Sequence, residues 1–183
     1  MLEFEKKIIL NKHEYEFLDS NFFNDAQIIH QTNYYYDTPK LELNEKNITA
    51  RIRETDGKFV SMIKDHSDRQ TDCSIETICN TSNEYDETYF RKLGLSCYGK
   101  LHTMRKIIIF SNIYFMLDKN EYLDVVDYEL EIEYQVGFEK KAMQCIKQLS
   151  EVLKENVVVS CSEEFMRRLG TSESKTERFF KRL

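Results

Sequence analysis

Three segments of this chain alternate between apolar and charged residues, and the charged positions of each carry nearly one sign. Side chains two apart on a strand share a face. Leu2 to Ile9 therefore sets Glu3, Glu5 and Lys7 against Leu2, Phe4 and Ile8. Ile48 to Glu54 sets Arg51 and Arg53 against Ile48, Ala50 and Ile52, and Val126 to Val136 sets Asp127, Glu129, Glu131 and Glu133 against Tyr128, Leu130, Ile132 and Tyr134. A single half-buried strand with one solvated charged face would be ordinary. Like charges side by side repel, however, and solubility alone does not ask for runs of one sign.

Further period-two segments run over Lys58 to Lys64, Asp72 to Ile78, Arg105 to Ser111 and Ile113 to Leu117. Helical spacing appears between and after them. Asn11 with Glu14 forms a capping box for Lys12 to Ser20, and Ser82 is placed to cap a helix through Tyr85, Tyr89, Phe90 and Leu93 that stops at Gly94. Glu139 to Lys154 carries Ala142, Cys145, Ile146, Leu149 and Leu153 on one face. Ser160 with Glu163 opens a helix closed by Gly170, and Ser174 with Glu177 opens the last. Seven or eight strands in adjacent pairs, with helices around them, give an α+β pattern with antiparallel pairing. Amphipathic helices need apolar surface, and the strands' apolar faces supply it. The charged faces then meet across the interior of a curled or closed sheet.

Charges buried in such an interior must pair with one another or hold something of opposite charge. Carboxylates at this density are ligands for a hard divalent cation, magnesium or manganese. Arginines and lysines suit a polyanion rich in oxygen, above all phosphate. A cavity with both sets fits a metal-bound polyphosphate.

The 183 residues suit one domain, expected over 1–183, and 26 basic against 32 acidic residues leave a net charge of −6. That balance argues against a nucleic-acid binder relying on a net positive field. One proline and five glycines exclude linker-rich or low-complexity architecture. No run approaches the about 18 apolar residues that span a bilayer, and the charged start Met1 to Lys7 does not suit a signal peptide, so a cytoplasmic location with no membrane partner is expected. The five cysteines, Cys73, Cys79, Cys97, Cys145 and Cys161, show neither CxxC nor zinc spacing and read as buried or half-buried free thiols. His13, His30, His66 and His102 lack metal spacing, and no Gly-rich phosphate loop occurs.

Six blocks, in order along nearly the whole chain, resemble the CYTH domain, the triphosphate tunnel metalloenzyme family, in its bacterial branch. Glu3-Phe4-Glu5-Lys6-Lys7 is similar to the ExExK signature, and Gln31 to Pro39 to a QxNxYFDTP block. Ala50-Arg51-Ile52-Arg53 and Ser61-Met62-Ile63-Lys64 resemble its LRIR and LTLK strands, and Leu101 to Arg105 the segment with a later basic residue. Leu117-Asp118 and Asp127 to Glu133 resemble its final acidic strands; Ser174-Lys175 with Arg178-Phe179 resembles its C-terminal basic element.

The resemblance implies an eight-stranded antiparallel closed β-barrel, a tunnel with helices packed outside. It implies Mg2+ or Mn2+ held by Glu3, Glu5, Asp118, Glu129 and Glu131, and a triphosphate-containing small molecule held by Lys7, Arg51, Arg53, Lys64, Arg105 and Lys175. Glu5, Lys7, Arg53, Glu131 and Glu133 are the expected catalytic set, with Glu76 as a further tunnel acid. Thr103 departs from relatives with a second basic residue there. A homodimer is compatible with the resemblance. Hydrolysis of a terminal phosphate ranks ahead of adenylate cyclisation and of a non-catalytic polyphosphate-binding module. Asp37-Thr38-Pro39 reads as turn chemistry, Tyr34 to Tyr36 as barrel wall, and Arg178 as surface or structural.

Overall fold

Antiparallel ladders built from these alternating segments close on themselves. The computed structural model describes residues 2–65, 73–157, 162–170 and 172–183, without the side chains at 2, 3, 73, 74, 162 and 163. Among the described residues the strands are β1 (Leu2–Leu10), β2 (Gln27–Asp37), β3 (Ile48–Thr55), β4 (Lys58–Asp65), β5 (Cys73–Ser82), β6 (Ser96–Phe110), β7 (Ile113–Tyr122) and β8 (Val125–Tyr134). The helices are α1 (Lys12–Phe22), α2 (Glu42–Glu45), α3 (Thr88–Lys92), α4 (Glu139–Asn156), α5 (Ser162–Arg168) and α6 (Lys175–Phe180). Strand order is β1-β5-β4-β3-β2-β6-β7-β8, and β8 returns to β1, so every strand has two antiparallel neighbours and the barrel is closed.

Register is set by tight hairpins. Asp56-Gly57, Ser111-Asn112 and Leu123-Asp124 connect β3–β4, β6–β7 and β7–β8, and all six residues have positive φ, the signature of a type I′ turn whose twist matches its strands. β1 pairs with β8 from Phe4↔Tyr134 to Leu10↔Tyr128, but with β5 only from Leu2↔Ile75 to Phe4↔Cys73.

The apolar faces point outward, under the helices. Ile8, Leu10, Ile113, Leu117, Leu130 and Ile132 pack with Leu18 of α1, Ala142, Ile146 and Leu153 of α4, and Phe165 of α5. Tyr36, Ala50 and Ile52 pack beneath Phe90 and Leu95. A third cluster joins Tyr35, Leu101 and Tyr122 to Phe179 and Phe180 of α6, which plugs one end of the barrel. Thr49 donates to Thr176 at 3.0 Å, and the Ser174–Glu177 capping box opens the plug helix. At the other end the inward-facing positions Ile78, Ile109 and Tyr114 are exposed. No helix among the described residues is long and apolar enough to cross a membrane.

Some sequence expectations need correction. Ser82 does not cap a helix: it pairs with Phe59 in the β4–β5 ladder, its hydroxyl accepts from the Glu84 amide, and α3 begins only at Thr88. β6 starts at Ser96, well before Arg105, and Ser111 lies in the following turn, while β8 stops at Tyr134 and leaves Gln135 and Val136 outside it. β2 and α2 had no periodic signal. Tyr34-Tyr35-Tyr36 breaks the alternation of β2, and Asp37 makes α2 by accepting from the amides of Thr38, Leu43 and Asn44. Cys97 is exposed, contrary to the buried or half-buried reading, whereas Cys79 and Cys145 are half-buried. His66, Asp72, Ser160 and Cys161 lie outside the described residues, as do the side chains of Cys73 and Glu163.

Gly99 shows how closely the plug fits. Its φ is +148°, and an added Cβ would meet Phe179 Cζ at 2.9 Å, with that ring already packed against Tyr35, Tyr122 and Phe180. Gly99→Ala is expected to cost about 1–3 kcal/mol through strain and overpacking, read as a fall in the thermal midpoint. An unchanged midpoint would show that the plug has slack.

Candidate active site: a charged tunnel

The inward faces bring the single-sign stripes together. A cavity of about 240 Å3 is lined by Lys7 and Glu5 of β1, Arg51 and Arg53 of β3, Lys64 of β4, Glu76 of β5, Arg105 of β6, Glu131 and Glu133 of β8, and Lys175 of α6. The alternation on β1, β3 and β8 dictates this meeting. Every expected binding residue reaches the cavity, as do all the expected catalytic ones. Asp118 and Glu129 are fully buried beside it. The backbone of Glu3 lies in β1 opposite Ser74, and its side chain lies outside the description.

Two groups of contacts organise the interior. On one wall Glu5 accepts from Lys7 Nζ and from Lys64 Nζ, both at 3.3 Å, while Arg51 reaches Glu76 at 3.4 Å and donates Nε to the Met62 sulfur at 3.1 Å. Lys64, next to the last residue of β4, is not solvated there; only 11% of its side chain is exposed. Arg53 donates to Asn33 Oδ1 at 3.1 Å. On the other wall Arg105 grips both oxygens of Asp118 at 2.8 and 2.6 Å and also contacts Glu131. Lys175 Nζ lies 2.9 Å from Asp118, 2.9 Å from Glu129 and 2.6 Å from Glu131. Arg178 joins Glu129 at 2.6 Å to Asp127 at 2.8 Å. It is thus a buried structural cation, and it holds α6 in place.

These contacts govern protonation. Burial, with repulsion from Arg51 and Arg105, pushes Arg53 down to about 9, so its charge is under stress although present at neutral pH. Burial opposes the ammonium of Lys175, but Asp118, Glu129 and Glu131 outweigh it and hold it well above the usual range. Burial likewise works against Lys7 and is overcome by Glu5, Glu129 and Glu131. Glu131 is held well below the usual range because Arg105 and Lys175 outweigh burial, whereas burial keeps Glu129 raised.

Asp118, Glu129 and Glu131 each offer an oxygen within 4.8 Å of the others, a set able to hold a cation. Sequence reasoning assigned no role to Asn33, Gln31, Thr49 or Thr176, all of which line the cavity. The signal was alternation of Gln31, Asn33 and Tyr35 along β2, masked by the adjoining tyrosines. Thr103, the position noted as departing from relatives with a second basic residue, is buried and donates to Asn120 at 2.7 Å.

A closed barrel with this lining of opposed charges defines the class, a charged tunnel protein. The sequence profile of the CYTH domain matches residues 1–180, and the chain belongs to that family. It is 28% identical over 149 residues to YjbK of Bacillus subtilis, provisionally named a triphosphatase, covering 72% of this chain and 77% of that protein. Among solved structures it resembles a Bacillus halodurans protein provisionally termed an adenylate cyclase, with a TM-score of 0.67, 23% identity and coverage of 97% of both chains. It also resembles Hippeastrum HpAC1, provisionally an adenylyl cyclase and described as having a dominant triphosphatase activity, with a TM-score of 0.58, 18% identity, and coverage of 84% of this chain and 86% of that one. At these identities the structural likenesses show the fold.

The Asp127–Arg178 contact yields a pH prediction. Burial raises the Asp127 carboxyl, but Arg178, Tyr122 and Asn120 together lower it below its ordinary value. A depressed folded value adds stability that is fully present above the unfolded value of about 3.9 and is lost as pH falls through the folded value. Without added metal, Asp127→Asn is expected to lower stability by about 1–2 kcal/mol at pH 7, with the gap closing below about pH 4. Thermal melts of both proteins across pH 3–7 check this; a gap that persists undiminished at acid pH contradicts it.

Proposed function

We propose that this chain is a divalent-metal-dependent triphosphatase that hydrolyses an inorganic or organic triphosphate within the tunnel. The observation that carries the reading is charge. Six cationic side chains line the cavity with four carboxylates, a concentration of cations inside a chain of net charge −6. The stressed guanidinium of Arg53 has the same origin, since an anion between it, Arg51 and Arg105 would relieve their repulsion.

The donor set suits magnesium or manganese. It offers carboxylate oxygens only, and an ammonium already sits where Asp118, Glu129 and Glu131 converge. Those three residues, with Glu3 and Glu5, would hold the ion, which when bound supplies Lewis-acid polarisation of phosphate oxygens. Arg51, Arg53, Lys64 and Arg105 would bind the remaining oxygens and fix the chain of phosphates in line, so that positioning and preorganised charge do most of the work. Lys7 would offset charge developing on the terminal group. Glu133, on the cavity wall in register with Glu5, is placed to orient a water and accept its proton. That water's oxygen bonds to the terminal phosphorus, the bridging P–O bond breaks, and the leaving oxygen departs with the diphosphate part.

Nucleotide cyclisation is the second reading. It draws on the exposed Ile78, Ile109 and Tyr114 at the open end, apolar surface that could receive an organic group.

Incubation with tripolyphosphate, ATP and thiamine triphosphate, with and without Mg2+ or Mn2+, separates the readings. Metal-dependent release of orthophosphate is expected; cyclic AMP with pyrophosphate would mean a cyclase, and binding without turnover a binding module. Glu5→Gln and Glu131→Gln are each expected to lower turnover about 100-fold or more with the fold retained, the scale set by loss of a preorganised charged contact. Near-normal turnover in both would defeat the proposal. Metal affinity is also expected to fall on acidification, because carboxylate ligands must be ionised. Calorimetric titration of Mn2+ between pH 5.5 and 7.5, a window of about two units around neutrality, measures it.

A further inference from the structure

Within the acidic wall, every oxygen of the three clustered carboxylates already has a cationic partner. Both Asp118 oxygens meet Arg105, and Oδ2 also meets Lys175. Glu129 gives Oε1 to Lys175 and Oε2 to Arg178, and Glu131 gives Oε1 to Lys175 and Oε2 to Arg105. Among the described residues Lys175 is the one cation shared by all three. The two arginines are held elsewhere as well, Arg178 by Asp127 and Arg105 by the Met116 sulfur at 3.0 Å.

We infer that Lys175 is a tethered ammonium occupying the position that a divalent ion takes among Asp118, Glu129 and Glu131, so that lysine and ion exclude each other. This rests on the reading of the tunnel as a metal-dependent triphosphate site. Removing Lys175 alone takes the cationic partner from one oxygen of Glu129 and one of Glu131 and leaves Asp118 Oδ2 with Arg105 alone, while Arg105 and Arg178 keep their own grips. An ammonium and a divalent cation cannot share a cluster of this size, because their repulsion at contact distance is not screened in a buried site.

Lys175 also has somewhere to go. It lines the cavity as well as contacting the carboxylates, and it is the first residue of α6, so its flexible stem can swing while the capping box and Arg178 keep the helix seated. An anion in the tunnel offers the displaced ammonium a new partner. The cation and the polyanion therefore assist each other's binding, each paying part of the cost of moving one lysine.

The test is calorimetric titration of Mn2+ into substrate-free wild type, Lys175→Met and Lys175→Arg, with thermal melts run alongside. Lys175→Met is expected to bind Mn2+ about tenfold tighter or more than wild type, within the usual range for coupled sites, and Lys175→Arg no tighter than wild type. Mn2+ is also expected to raise the melting point of Lys175→Met more than that of wild type. If Lys175→Met folds only with Mn2+ present, and not with an equal ionic strength of NaCl, the inference stands; if neither restores folding, it falls. Equal or weaker Mn2+ affinity in Lys175→Met, with wild type binding Mn2+ and hydrolysing tripolyphosphate, overturns the inference and leaves the triphosphatase reading intact. A wild type that neither binds Mn2+ nor hydrolyses tripolyphosphate overturns both.

Discussion

Charge pairing inside a closed sheet is the constraint on which the rest of this protein depends. Taking a carboxylate or a guanidinium out of water is costly, and an opposite charge at contact distance offsets the cost only when geometry is good. Here the offset is built across elements distant in sequence: Glu5 to Lys64, Arg51 to Glu76, Arg105 to Glu131, and Glu129 to Lys175 and Arg178 of α6. Among the described residues the carboxylates of the acidic wall are all paired, whereas on the basic wall the hydrogen-bond partner of Arg53 is the neutral Asn33, and the repulsion of Arg51 and Arg105 outweighs the attraction of Glu76. The asymmetry gives the tunnel a direction, with one side neutralised by its own lysine and arginines and the other carrying a guanidinium without a close carboxylate among the described residues.

The outer structure follows from the same choice. Once polar faces turn inward, apolar faces must be covered from outside, and α1, α4 and α5 do so over β1, β7 and β8. The end plug applies the opposite rule. Tyr35, Leu101 and Tyr122 are apolar residues on inward positions, and they serve as a seat for Phe179 and Phe180. Gly99 leaves the room for that seat.

Much of this was legible from alternation alone. The one-sided sign of Arg51 and Arg53, and of Asp127 through Glu133, shows that those faces need a common interior, because no solvated surface requires such segregation. Capping chemistry placed α1 and α6, since Asn11–Glu14 and Ser174–Glu177 close reciprocal hydrogen bonds within four residues. What escaped had no local signature. β2 carries three adjacent tyrosines facing alternately out, in and out, so its polar inward positions are hidden among aromatic ones. Ser82 satisfied a helix-start pattern, but ladder pairing with Phe59 won over a short helix. The convergence of Lys175 on three carboxylates is a tertiary fact: spacing places it near a helix start and says nothing of what lies across the barrel.

The site draws on residues from Glu5 in β1 to Lys175 at the start of α6, and the barrel's closing seam joins its first strand to its last. A growing polypeptide emerging from the ribosome can zip β6, β7 and β8 as successive hairpins, yet β1, with only a short ladder to β5, must wait for β8 before most of its length is paired. Synthesis stopped short of α6 would yield all eight strands with three carboxylates crowded around a missing ammonium. Only with α6 in place does Lys175 reach the three carboxylates, so the acidic wall is the last part of the interior to be neutralised.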